Sequence, residues 1–201
     1  MINILYVTYS LEPAGLERVV ASLATNLDRK QYRPVVCALK RGGAIQSFLE
    51  NNEITVYVLN KRDSFDWSII SALRRIISKE RISVVHTHNF SANFWGRIAG
   101  ALEGVPCLVA SEHSITTNKS WMQKTADRIL CALTDHIIAV SEAVRKAHIH
   151  DEHIRPEKIS TIYNGVDLTH YVPGQCRADV MDELGLWKDD RLVCIVGLLV
   201  E

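Results

Sequence analysis

The sequence has no excess of charge of either sign, since 23 Lys and Arg residues balance 23 Asp and Glu residues over 201 positions. A protein that binds nucleic acid usually needs a basic surface, so we expect no nucleic-acid partner. The sequence also lacks an apolar run long enough to cross a bilayer and a signal segment at its start. Together these absences predict a cytoplasmic protein.

Two short basic clusters lie close together in the sequence, Arg74–Arg75 and Lys79–Arg81. Such clusters usually form a solvated helix face. The alternative is a peripheral contact with the inner face of the membrane, because anionic lipids attract surface cations.

The sequence has no CxxC pair, and its five cysteines are scattered. They predict small core residues in a reducing compartment rather than disulfides or metal ligands. His86 and His88 share a strand face and could begin a zinc site, but no third ligand follows at a matched spacing. Three more histidines lie within residues 148–153, which we expect to form a solvated, charged connection. We therefore predict no metal and no cofactor.

The first loop between a strand and a helix carries one glycine, Gly15, where a dinucleotide-binding fold would carry GxGxxG. This absence argues against a nicotinamide-dependent dehydrogenase. Gly15 opens a helix, so its amide could approach a phosphate closely. The alternative is an ordinary turn glycine.

Short apolar runs typical of buried strands alternate with amphipathic helical stripes along the chain. This alternation predicts an α/β fold with a doubly wound, mostly parallel, Rossmann-like sheet. The predicted strands are Ile2–Thr8, Pro34–Leu39, Thr55–Leu59, Ser83–Thr87, Cys107–Ala110, His136–Val140 and Ile159–Tyr163. One of the helical stripes consists of Met122, Ala126, Ile129, Leu130 and Leu133.

The pattern changes near residue 172. We expect residues 1–172 to form a Rossmann-like domain, and residues 173–201 to hold a linker helix, Arg177–Leu184, and a strand, Arg191–Val196. A single strand cannot bury its own faces, so it predicts the start of a second, incomplete α/β domain.

Polar residues and glycines stand at the carboxyl ends of the predicted strands, where open α/β sheets bind ligands. A titratable pair, Glu112 and His113, follows one buried strand. This pair is either part of a site or a local cap of the strand. The other candidates at these ends, which suit a polyhydroxylated and phosphorylated ligand, are His88, Ser141, Asn164 and Gly165.

Four segments in order resemble the N-terminal domain of a retaining GT-B glycosyltransferase of family 4. Gly15–Val20 is similar to the family's glycine loop, Glu-Arg pair and apolar helix, and Val84–His88 to its strand with an HxH-like end. Asp135–Val144 is similar to the family's strand before a Ser-capped helix, and Lys158–Asp167 to its approach to the interdomain crevice.

The resemblance implies transfer of a sugar from a nucleotide-sugar donor to a glycan or lipid-linked acceptor, with retention of configuration and without a metal. It implies that His113 contacts the transferred sugar or its phosphate as the catalytic residue. Gly15 would lie near the donor diphosphate and the acceptor, and Arg18 would support this loop as a substrate-binding residue. Asn164 and Gly165 would shape the crevice loop.

The chain departs from the family's pattern at Gly197–Leu198, where the family has Gly-Arg and the arginine meets the diphosphate. The lysine and the glutamate pair that bind the donor in the family would lie beyond Glu201. We therefore expect the chain to be inactive without a donor domain, supplied by a C-terminal half or by a partner chain. The alternatives are a non-catalytic sugar- or acceptor-binding module, a subunit of a two-chain glycosyltransferase, and a GT-B-like nucleotide-sugar epimerase.

Overall fold

The structure is a computed structural model that describes residues 1–63, 65–115, 121–166, 168, 177–187, 190, 191 and 193. The strands are β1 Ile2–Ser10, β2 Tyr32–Arg41, β3 Thr55–Val58, β4 Val84–His88, β5 Cys107–Glu112, β6 His136–Ala139 and β7 Ile159–Thr161. The α-helices are α1 Gly15–Thr25, α2 Ala44–Asn51, α3 Ser68–Lys79, α4 Phe90–Leu102, α5 Trp121–Leu133, α6 Glu142–Glu152 and α7 Arg177–Glu183, and a 3-10 helix, Pro156–Lys158, precedes β7.

The strands form one parallel sheet in the order β3-β2-β1-β4-β5-β6-β7. The chain moves outward from β1 to β3, returns to place β4 beside β1, and then moves outward in the opposite direction. This reversal is the topological switch point of a doubly wound sheet. The predicted Rossmann-like α/β fold is therefore confirmed.

Alternate side chains of β1 enter two different cores, because successive residues of a strand point to opposite faces. Leu5 and Val7 belong to a buried cluster with residues of α3 and α4. Ile4 and Tyr6 belong to a second cluster with residues of α1 and α2. The helices that follow β1 and β4 therefore cover opposite faces of the sheet, which opens a crevice between them at its carboxyl edge.

Helix α4 approaches β4 and β5 closely through two glycines. A Cβ atom on Gly96 would come within 2.4 Å of Thr87 Cγ2, and one on Gly100 within 2.5 Å of Leu108 Cδ2. Larger residues at these positions would push the helix away from the sheet. The glycines thus set the distance between α4 and the two strands that end at the crevice.

All seven strands predicted for the first domain are present, with ends that differ by one or two residues. The predicted stripe of α5 is wrong in part, since Ile129 and Leu133 are 62% and 46% exposed. Asp127 is buried on the inner face of α5 instead. Its carboxylate lies 3.6 Å from the buried guanidinium of Arg97, with which it forms an ion pair. A periodicity of apolar residues does not reveal such a buried ion pair.

In the C-terminal part, α7 ends one residue before the predicted end of the linker helix, and Gly185 follows with a φ of +66°. The chain divides into two compact units, Met1–Asn164 and Gly165–Glu201. The predicted boundary at residue 172, the pair Gly197–Leu198 and most of the strand Arg191–Val196 lie outside the described residues. The assignment of residues 1–172 and 173–201 to two domains therefore stays a prediction. Among the helices that the structure describes, none is long and apolar enough to cross a bilayer.

Candidate active site

The candidate site lies at the carboxyl edge of the sheet, where β1 ends at Ser10, β4 at His88 and β5 at Glu112. These ends meet at one edge because all the strands are parallel. Helix α1 begins at Gly15 and α4 at Phe90, and they pack on opposite faces. The ends of β1 and β4 thus border the crevice at the switch point, where folds of this kind bind ligands.

Three histidines form a cluster on the α1 side of β4 and β5. His88 Nδ1 lies 3.1 Å from His113 Nε2, so one ring donates a hydrogen bond to the other. The ring centroids of His86 and His88 are 4.2 Å apart, which confirms that these residues share a strand face. Tyr6 lies against both rings at 5.4 and 6.0 Å. His86 Nε2 is hydrogen-bonded to Ser111 Oγ at 2.8 Å.

Burial keeps these imidazoles neutral. Loss of solvent lowers the pKa of His86 to about 4, and nearby His113 adds a smaller effect. The same cause, followed by the proximity of His86 and His113, holds the pKa of His88 well below its usual value. Burial also lowers the pKa of His113. A neutral imidazole has one donor and one acceptor nitrogen, so His113 can pair with His88 and still offer Nδ1 to a ligand.

Three buried polar atoms of β1, β4 and the first turn of α1 have hydrogen-bonding capacity that no described residue uses. They are Thr8 Oγ1, Glu17 Oε2 and His88 Nε2. Thr8 and His88 directly follow Val7 and Thr87, the last residues that β1 and β4 pair in parallel. The other carboxylate oxygen of Glu17 accepts a hydrogen bond from Ser10 Oγ at 3.2 Å, which ties the first turn of α1 to the end of β1.

Glu112 belongs to the opposite face of the sheet from His113, as consecutive residues of a strand do. Its Oε1 accepts a hydrogen bond from Asn93 Nδ2 at 2.7 Å. Its Oε2 lies 3.9 Å from His148 Nε2, and the side chain is 13% exposed. The structure therefore separates the predicted pair: His113 faces the histidine cluster, while Glu112 faces α4 and α6.

The loop after β1 is open in front of Gly15, because nothing lies within 4 Å of a Cβ atom built there. Packing therefore does not require a glycine at this position. The backbone of Gly43 packs closely against this loop. A Cβ atom at this position would come within 2.6 Å of the carbonyl oxygen of Leu11, so a larger residue would displace the loop. The Leu11 amide also donates a hydrogen bond to the Arg41 carbonyl at 3.0 Å. Arg18 is exposed on the first turn of α1.

The other residues predicted to contact the substrate at the strand ends, Ser141, Asn164 and Gly165, come later in the sequence than the histidine cluster, after β6 and β7. Ser141 is the N-cap of α6, and its Oγ accepts a hydrogen bond from the Val144 amide at 3.2 Å. Asn164 and Gly165 follow β7 and are exposed. Among the predicted site residues, the hydrogen bonds that the structure describes join only His88 to His113. The binding roles of the other residues stay predictions.

The predicted solvated connection is wrong for His148, which is 3% exposed. Its Nδ1 lies 2.9 Å from Glu152 Oε2. The residue lies one helical turn after buried Val144, so the helical period places it on the inner face of α6. The next histidines, His150 and His153, are exposed.

Sequence reasoning missed a buried polar stripe on α4. Asn93 and Arg97 are 1% and 2% exposed, and Arg97 Nε donates a hydrogen bond to the Asn93 carbonyl at 2.8 Å. Burial lowers the pKa of the Arg97 guanidinium, and the Glu112 and Asp127 carboxylates oppose this change. The available signal was a pair of polar residues four positions apart in a helix that is otherwise largely apolar.

Within the described ranges, no group of three or more His, Cys, Asp and Glu side chains is arranged to hold a metal ion. Cys37, Cys107 and Cys131 are free thiols. Cys37 is packed in the core, and burial raises the pKa of its thiol to about 12. The thiol therefore stays protonated and unreactive.

Comparison with known proteins gives one family match and several relatives. The sequence model of Glycosyltransferase Family 4 matches residues 13–170. A UDP-Gal:α-D-GlcNAc-diphosphoundecaprenol α-1,3-galactosyltransferase of Escherichia coli is 28% identical over an aligned length of 198 positions, and the match covers 92% of this chain and 51% of that protein.

Two solved structures share the fold. Anabaena HepE in complex with UDP has a TM-score of 0.75 and 23% identity, and the match covers 92% of this chain and 50% of that one. A glycosyltransferase of Rickettsia africae has a TM-score of 0.77 and 18% identity, with 94% and 50% covered. The chain spans about half the length of each of these three proteins.

Proposed function

This chain belongs to Glycosyltransferase Family 4, and we propose that it is the acceptor-binding half of a glycosyltransferase. The reaction would move a sugar from a nucleotide-sugar donor to a glycan or lipid-linked acceptor, with retention of configuration and without a metal. Besides family membership, the proposal depends on one observation: the hydrogen-bonded pair His88 and His113 lies beside the switch point of the sheet.

We assign His113 to the contact with the transferred sugar or its phosphate. One nitrogen of its neutral ring pairs with His88, and the other can hydrogen-bond a hydroxyl or a phosphate oxygen. Such a bond becomes stronger in a water-poor crevice as negative charge develops on the leaving diphosphate.

The loop at Gly15 would receive the diphosphate. The space in front of this residue is open, and the first amide groups of α1 carry partial positive charge. Arg18 adds a cation to the first turn of the same helix. We keep Ser141, Asn164 and Gly165 as contacts that would border the crevice.

The remaining donor contacts would come from a further domain or from a partner chain. Residues 1–172 would form the acceptor-binding domain, and residues 173–201 the entry into the donor-binding domain. The 201-residue chain alone would then not turn over, because much of the electrostatic stabilisation of the leaving diphosphate would be absent.

The relatives suggest the chemistry of the two substrates. The name of the E. coli protein specifies UDP-galactose and a diphosphoundecaprenol acceptor, and the Anabaena structure holds UDP. We therefore propose a UDP-sugar donor and a lipid-linked acceptor. Such an acceptor would bring a cytoplasmic enzyme into peripheral contact with the inner face of the membrane.

The test compares the 201-residue chain with a chimera that continues into the C-terminal half of the E. coli relative. Each protein is incubated with UDP-galactose and GlcNAc-diphosphoundecaprenol in the presence of EDTA, and UDP release is measured. We expect turnover by the chimera alone, and NMR of the product should show a retained anomeric configuration.

Two outcomes would contradict the transferase proposal. Binding of UDP-galactose by the chimera without turnover would favour the non-catalytic module. Conversion of the sugar nucleotide into an epimer without transfer would favour the epimerase.

A further inference from the structure

Three successive side chains at the end of β5 are hydrogen-bonded to residues of β4 and α4. The three hydrogen bonds join His86 to Ser111 at 2.8 Å, Asn93 to Glu112 at 2.7 Å and His88 to His113 at 3.1 Å. Because side chains alternate along a strand, the middle bond lies on the opposite face from the other two. The strand end is therefore fixed from both sides.

Asn93 donates the hydrogen bond to Glu112 on the α4 face of the sheet, and a second hydrogen bond orients the Asn93 amide group. Thr87 Oγ1 donates a hydrogen bond to Asn93 Oδ1 at 2.6 Å, which leaves the amide NH2 group facing Glu112. The Asn93 side chain is almost fully buried, so water cannot replace either bond easily.

A second element supports Glu112 from α6. His148 Nε2 lies 3.9 Å from Glu112 Oε2, and His148 Nδ1 lies 2.9 Å from Glu152 Oε2. The carboxylate of Glu112 is thus placed between the NH2 group of Asn93 and the ring of His148. The Glu112 side chain is 13% exposed and so lies largely out of water, where the 2.7 Å hydrogen bond from Asn93 restricts its orientation.

We propose that Asn93 is a positioning residue for His113 and that it acts through Glu112. One peptide bond joins Glu112 to His113, so an anchored Glu112 side chain fixes the backbone from which the His113 ring reaches His88. Small displacements of a reacting group lower the rate strongly, which gives this anchoring a function. The inference rests on the role proposed for His113 in sugar transfer.

The experiment records the histidine rings of the full 201-residue chain by long-range ¹H–¹⁵N NMR over a pH titration. In the Asn93→Ser variant the side chain at position 93 is too short to reach Glu112. The Glu112→Gln variant keeps a side-chain oxygen that can accept the hydrogen bond from Asn93. Leu73→Ala is the control, because this buried residue of α3 contributes to the core and touches none of these bonds.

We expect Asn93→Ser to shift the His113 ring signals and to raise the pKa of His113 toward the ordinary value of about 6.5, as the ring gains water. Glu112→Gln should keep the wild-type tautomer of His113. Leu73→Ala should lower the melting temperature and leave the His113 signals unchanged.

The proposal is wrong if His113 is unchanged in Asn93→Ser, if Glu112→Gln alters its tautomer, or if Leu73→Ala moves its signals equally. Should Asn93→Ser fail to fold, Glu112→Ala breaks the same bond from the other end, and an unchanged His113 there would also overturn the proposal. The measurement reports the state of the ring and not transfer. A chimera without transferase activity would therefore reject the proposed function and leave the positioning result standing.

Discussion

His88 Nδ1 lies 3.1 Å from His113 Nε2 and thereby links the end of β4 to the end of β5. His88 is fully buried, whereas His113 is partly exposed. A buried ring can hardly contact a substrate directly, so we expect His88 to act through His113. The substrate contact predicted for His88 stays a prediction.

Replacement of His113 tests the site most directly. His113→Ala leaves the buried Nδ1 of His88 unpaired, so we expect the free energy of unfolding to fall by about 1–3 kcal/mol. In the chimera, turnover should fall by roughly a hundredfold or more, as for loss of one transition-state hydrogen bond. Urea unfolding and UDP release measure the two effects.

The matched control is His136→Ala. His136 Nε2 is hydrogen-bonded to Ser160 Oγ at 2.7 Å in the same sheet, so this variant also loses a histidine bond. It should lower stability while it keeps turnover. A fully active His113→Ala chimera would show that the site lies elsewhere.

The buried histidines predict a stability that falls in mild acid. Burial lowers the pKa of His86 to about 4 and also lowers the pKa values of His88 and His113. Between about pH 6.5 and 4 the unfolded chain therefore binds protons that the folded chain does not. His86 alone should lower the free energy of unfolding by up to about 1.4 kcal/mol per pH unit in this window, with full stability above it, and His88 and His113 should act in the same direction.

Urea unfolding at pH 7.5, 6.5 and 5.5 measures this dependence. His86→Gln removes one of these groups and should give a smaller slope. The control Leu73→Ala removes a buried apolar side chain of α3 that does not titrate, so it should lower stability at every pH and leave the slope unchanged. An identical slope in His86→Gln would count against a neutral, buried His86.

Replacement by alanine should affect stability very differently at two glycines near the crevice. Gly15→Ala places its methyl group in open space, so the free energy of unfolding should change by less than about 0.5 kcal/mol. Gly43→Ala brings a methyl group against the Leu11 carbonyl and should cost about 1–3 kcal/mol. In the chimera, Gly15→Ala should still weaken binding of UDP, as measured by calorimetry. Unchanged binding would place the diphosphate away from this loop.

The buried ion pair of α4 and α5 predicts a large loss of stability. Arg97→Met removes the cation that lies 3.6 Å from Asp127 and leaves a buried carboxylate without it. We expect a loss of about 3–5 kcal/mol in the free energy of unfolding. Arg75→Met, on the exposed face of α3, is the control and should change little. Equal stability of the two variants would show that the pair contributes nothing.

The sequence predicted the fold well because its signals are local. Strands and helices follow from the spacing of apolar residues, and the parallel sheet follows from their alternation. The same reasoning placed Glu112 and His113 at the carboxyl edge, since any residue that follows a buried parallel strand lies there. It could not say which face of the sheet His113 belongs to or which residues its side chain contacts there.

Tertiary structure decided the contacts of these residues. His88 and His113 are 25 positions apart in sequence and meet only because β4 and β5 are neighbours in register. Sequence reasoning assigned no role to Asn93 and placed His148 in a solvated connection. Both side chains face Glu112, because the close packing of α4 and the inner face of α6 enclose the strand end. The sequence by itself determined the elements and the edge at which a site forms, because these depend on periodicity along the chain. The hydrogen bonds that orient His113 depend on distances across the sheet, which local periodicity does not encode.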